Sequence, residues 1–116
     1  MLYLKAGVSL GELKPQTLLG AIIVAGVFER HGHDVTITSA NDGAHAGHPV
    51  AGESADPHYT GRALDFRFNA ASLVPVAERA QLYEDVARAL GENYYTQYEG
   101  EGTDTAHIHL QFMGVA

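Results

Sequence analysis

Seven histidines stand in a chain of 116 residues that contains no cysteine. Without thiolates, disulfides and thiol catalysis are excluded, and any transition-metal site must be built from nitrogen and oxygen donors. Two stretches concentrate such donors: His58 with Asp65, and His107 with His109. Two imidazoles and a carboxylate, His58, His109 and Asp65, form a set that zinc accepts tetrahedrally at ~2.0–2.2 Å, leaving a fourth position for water. Zinc in such a site polarises a carbonyl and activates water, which suits amide hydrolysis. That chemistry also needs a proton acceptor. Asp104, five residues before His109, is placed foremost, with Glu99 and Glu101 as alternatives, and His107 is suited to stabilising an oxyanion or moving protons.

The elements that must position these groups are read from periodicity. Pro15 suits a helix start, and Leu18, Leu19, Ile22, Ile23 and Val27 recur at three- and four-residue steps, predicting a helix over Pro15–Arg30 with that stripe towards the core. Residues 34–38 alternate and are rich in β-branched side chains, a strand signature. Residues 39–57 carry Gly43, Gly47, Pro49, Gly52 and Pro57 without a period, and read as a long loop leading into His58. In residues 63–68, Leu64, Phe66 and Phe68 take one face of a strand, and Asp65 and Arg67 the other. A second helix is expected from Val76 to Leu90, with Leu82, Tyr83, Val86 and Leu90 on one face and Gly91 as its stop. A hairpin of residues 94–98 and 107–112 follows, in which Ile108, Leu110 and Phe112 face the core and His107, His109 and Gln111 share the other side. If the two strands are neighbours, Asp65 and the two histidines converge, and Gly61 supplies the bend that returns His58 to them. The expected architecture is one α+β domain over residues 1–116: an antiparallel sheet, two helices on one face and the zinc site on the other.

The stretch His58-Tyr59-Thr60-Gly61-Arg62-Ala63-Leu64-Asp65 resembles the H-x-x-G-x-A-x-D motif of the D-alanyl-D-alanine metallopeptidases, and Ala106-His107-Ile108-His109 carries their second motif, H-x-H. Both are similar to the Hedgehog N-terminal signalling domain, where the segments read H-Y-x-G-R-A-V-D and A-H-I-H. The resemblance covers roughly residues 34–112. It implies that His58, Asp65 and His109 bind zinc, with His107 and an acidic residue just upstream at the catalytic position. It also implies a peptide substrate of the cell-wall type, with amide bonds near D-amino acids. The Hedgehog branch implies instead a signalling or interaction module that binds zinc without turnover, and a calcium site for which Asp42, Glu53 and Asp56 are the acids at hand. Two departures stand out: Asp56 occupies a position where the family has serine, and residues 39–42 offer no arginine for a substrate carboxylate.

Composition narrows the remaining classes. Fourteen acidic residues against seven basic ones give a formal charge of −7, and the scattered basic residues disfavour nucleic acid as a partner. The apolar run in residues 18–27 is interrupted by Gly20 and Gly26 and falls short of the ~20 residues that span a bilayer. No signal peptide is visible at the start, and the compartment stays open. His31 and His33 are expected at the C-terminal end of the first helix, where positive charge is favoured. Arg67 is expected in a structural ion pair, the tyrosines of residues 94–98 in hairpin and core packing, and His45 and His48 in solvent.

Overall fold

The computed structural model describes residues 1–11, 13–40, 62–70 and 73–114. Five strands and two helices follow in the order β1 (Leu2–Leu4), α1 (Pro15–Arg30), β2 (Val35–Ser39), β3 (Ala63–Arg67), α2 (Val76–Leu90), β4 (Tyr94–Glu99) and β5 (His107–Phe112). The strands form one sheet in the order β1-β2-β3-β5-β4. Every element read from periodicity is present, with strand ends shifted by about one residue. The chain is α+β, as expected, but the sheet is mixed rather than antiparallel, because β1 runs parallel to β2. Parallel neighbours need a crossover, and α1 provides it. With only three residues, β1 is too short to display an alternation that a sequence pattern could register.

The face of the sheet that carries Leu64, Phe66, Ile108 and Leu110 is sealed by both helices, and all four side chains are fully buried. Phe28 of α1 stacks on Phe68 at 5.9 Å, and Phe68 meets Tyr98 of β4 edge-on at 5.0 Å. From α2, Leu82, Val86 and Leu90 enter the same cluster, with Arg79 buried beneath them. Arg79 Nε donates to the Val74 carbonyl at 2.9 Å, and its guanidinium lies over the Phe68 ring.

The orientation of α1 corrects the expected stripe. Thr17, Gly20, Ala21, Val24, Val27 and Phe28 are buried, while Leu18, Leu19 and Ile22 are exposed. The helix is apolar around most of its circumference, so periodicity alone does not select a face. Gly20 selects it: a Cβ there would sit 2.8 Å from Tyr94 Cε1 and 3.1 Å from Leu110 Cδ1. The helix backbone thus lies directly against β4 and β5, and the Tyr94 hydroxyl donates to the Gln16 carbonyl at 2.6 Å to fix the approach. Gly20→Val is expected to overpack this contact and lower stability by about 2–3 kcal/mol, read as a reduced denaturation midpoint; an unchanged midpoint would refute the close approach.

Electrostatic contacts join the two helices. His31, at the C-terminal cap of α1, donates from Nε2 to Asp85 Oδ2 of α2 at 2.8 Å, and His33 Nε2 lies 4.0 Å from Glu78 Oε1. The expected site for these histidines is therefore right in position, with carboxylates of α2 as the partners. The His31 bond, and then the Gln81 bond, hold the Asp85 carboxyl below its usual 3.8 against the opposing effect of burial. A carboxylate depressed in the folded state contributes stability above its unfolded value and loses it as pH falls through the folded one. The stability difference between the wild type and Asp85→Asn should accordingly shrink as pH drops below about 3.8; a difference that instead grows on acidification would contradict the pairing.

Candidate metal centre

Strands β3 and β5 pair antiparallel with Asp65 opposite His109, Arg67 opposite His107 and Ala63 opposite Gln111. Strand β4 adds Gln97 opposite His109, Glu99 opposite His107 and Tyr95 opposite Gln111. Since Leu64, Phe66, Ile108 and Leu110 fill the helix side, strict alternation sends all of these polar groups to the other face. The convergence inferred from the two strand patterns is thus realised in the fold.

Asp65 and His109 are the best defined members. His109 Nδ1 and Asp65 Oδ1 are 3.0 Å apart, with the residues 5% and 7% exposed. Burial pushes the His109 imidazole towards its neutral form. The bond to Asp65 and its charge, aided by Gln111 and Glu99, outweigh this and raise its pKa above the usual 6.5. His107 is held differently. Its Nδ1 lies 2.8 Å from the Thr105 carbonyl, which can only accept, so the Nδ1 proton is committed there. Nε2 is left 4.0 Å from Asp65 Oδ1 and 4.0 Å from Glu99 Oε2. In neutral His107 this nitrogen carries the lone pair, and it lies between two carboxylates.

The sequence-derived site residues separate into groups. Asp65, His107 and His109 are brought together; His58 lies outside the described residues, as do His45, His48, Tyr59 and the acids Asp42, Glu53 and Asp56. Among the described residues, no group of three or more His, Asp or Glu side chains is arranged to hold a metal. Asp104 and Glu101 are exposed in the turn between β4 and β5, whereas Glu99, at the end of β4, is the acid beside His107. Gly100 and Gly102, at φ +70° and +81°, direct that turn. No ion pair of Arg67 is found among the described residues, and its Nε is buried without a hydrogen-bond partner there.

Tyr95 and Gln111, which neither motif contains, lie on the same face. Tyr94 and Tyr98 join the core, but Tyr95 turns to the opposite face, its ring edge-on to His109 at 6.2 Å and its hydroxyl donating to Gln97 Oε1 at 2.6 Å. Period-two alternation along β4 contains this assignment, provided that the strand is paired with β5. Gln111 is fully buried. Arg62, within the first motif, is also buried; it donates to the carbonyls of Phe112 and Gly114 and secures the exit of β5.

Asp65 and His109 are two donors of a type that zinc accepts. Tetrahedral bonds of ~2.0–2.2 Å put neighbouring ligand atoms roughly 3.3–3.5 Å apart, a few tenths of an ångström beyond the 3.0 Å between His109 Nδ1 and Asp65 Oδ1. Comparison with protein-family models, curated proteins and solved structures finds no match to this chain. No helix among the described residues is long and apolar enough to cross a membrane.

In metal-free protein, Asp65→Ala leaves a buried imidazole without its carboxylate. The expected loss is about 1.5–3 kcal/mol, the range for hydrogen bonds to charged groups, measured by denaturation in chelator. No loss would mean that the pair is not formed in solution.

Proposed function

We propose that this chain is a zinc-dependent peptidase that hydrolyses amide bonds in peptides of the peptidoglycan type, which contain D-amino acids. The observation that carries the reading is the direct opposition of Asp65 and His109 across β3 and β5, with His107 and Glu99 beside them on the face opposite α1 and α2. The substrate class rests on the likeness of the two motifs to those of the D-alanyl-D-alanine metallopeptidases.

Asp65 and His109, with His58, would hold the metal, and zinc so bound would supply polarisation of the scissile carbonyl and activation of water. The remaining steps belong to the chain. Glu99 receives the proton of the attacking water, a role its place beside His107 favours over the exposed Asp104. His107, oriented through Nδ1 by Thr105, exchanges a proton at Nε2 and, once protonated, stabilises negative charge developing on the substrate oxygen. Burial of Asp65 and His109 lowers the local dielectric and strengthens each of these interactions.

The test combines metal content with turnover. Purified protein is expected to bind one zinc per chain and to release new amines from peptidoglycan-derived peptides, followed by mass spectrometry. Glu99→Gln should keep the zinc and lose about 10²–10⁴-fold in rate, while Asp104→Asn should change it little. The reverse ranking would return the base to Asp104. Stoichiometric zinc with no cleavage would favour a Hedgehog-like binding module, and a chain unable to take up zinc would refute both readings.

A further inference from the structure

The arginines that this fold takes out of water are not held alike. Arg79 Nε donates to the Val74 carbonyl, and Arg62 donates to the carbonyls of Phe112 and Gly114. Arg67, half-buried on β3, differs: its Nε is removed from solvent without a hydrogen-bond partner among the described residues, and no ion pair of its guanidinium is found there. Asp65 and Glu99, the acids placed on the same face, lie against His109 and His107. A guanidinium stripped of part of its water with no anion beside it is costly, and that cost falls when an anion binds.

The surroundings of Arg67 define which anion. It stands opposite Thr36 of β2 and His107 of β5, and His107 stands opposite Glu99 of β4, so the four form one row across the polar face. Asp65 is two residues back along β3, about 7 Å away by backbone spacing. A guanidinium presents its N–H groups in one plane, a fork that matches a carboxylate with two parallel hydrogen bonds. An extended peptide advances about 3.3–3.6 Å per residue, so a carboxylate held at Arg67 lies about two residues from a bond placed at Asp65 and His109. We propose that Arg67 is an anion subsite of this face, where it takes a carboxylate of the bound peptide and sets the peptide's register along β3. This assignment rests on the peptide reading given above, but not on the metal.

The test titrates the full chain calorimetrically, in chelator so that no turnover intervenes, with a neutral peptide and two that carry a carboxylate. The neutral one is the C-terminal amide of N-acetyl-tri-D-alanine; the others are its free acid and the amide of N-acetyl-D-alanyl-D-glutamyl-D-alanine. Wild type is expected to bind a carboxylate probe roughly 10–100-fold more tightly than the neutral amide. Preference for the free acid assigns the subsite to a peptide C-terminus, and preference for the glutamyl amide assigns it to an acidic side chain. Arg67→Met should erase the preference, whereas Arg67→Lys, which keeps the charge but not the fork, should retain part of it. Equal binding of all the probes by wild type, binding of none, or an undiminished preference in Arg67→Met would overturn the assignment. The comparison within wild type requires no variant, and Arg67→Lys attributes the preference even if Arg67→Met does not fold. A carboxylate preference in a chain that takes up no zinc would refute the peptidase and leave the subsite standing. Zinc binding and cleavage without such a preference would do the reverse.

Discussion

The register between β3 and β5 governs both layers of the protein. With Asp65 opposite His109, Leu64 and Phe66 meet Leu110 and Ile108 beneath the helices. A slip of one residue would send the carboxylate into the core and the apolar side chains to the polar face, because strand side chains alternate with a period of two. The hydrophobic pattern therefore specifies the polar constellation: burial of four large side chains fixes the only alignment in which Asp65 and His109 touch. Gly20, by letting α1 lie against Leu110 and Tyr94, anchors the same alignment from the helix side.

On the polar face the chemistry is graded by burial. Asp65, His109 and Gln111 form an inner row almost removed from solvent, whereas His107 and Glu99 lie nearer the surface. The inner row suits a fixed charge arrangement that does not reorganise. The outer pair has room to exchange protons with solvent or a bound molecule. Backbone geometry supports the division, since His107 is tied to the Thr105 carbonyl at the last turn residue pair before the strand, and His109 is held from both ring nitrogens.

Much of this was legible in the sequence, and the reason is the strength of alternation in two particular segments. Leu64, Phe66 and Phe68 against Asp65 and Arg67, and Ile108, Leu110 and Phe112 against His107 and His109, leave one consistent facing. Three features were not legible. β1 has too few residues to show a period. The facing of α1 was ambiguous because apolar residues surround the helix, and the decisive signal was a glycine rather than the leucines. The acid beside His107 among the described residues is set by hairpin register, which pairs Glu99 with it and leaves Asp104 in the turn, a placement that distance along the chain does not reveal.

The Asp65–His109 contact joins positions 44 residues apart. A helical motif with ligands one turn apart can form its half of a site in an isolated peptide, but neither strand here holds the pair alone. Closing a loop of that length costs entropy before any contact repays it, so the site is a non-local product of the whole fold. A molecule that bridges the two strands consequently acts as a tether across the middle of the sheet, and its grip is thermodynamically linked to the integrity of the whole domain. Damage to the distant packing of α1 would be felt as weakened binding at a face that α1 never touches.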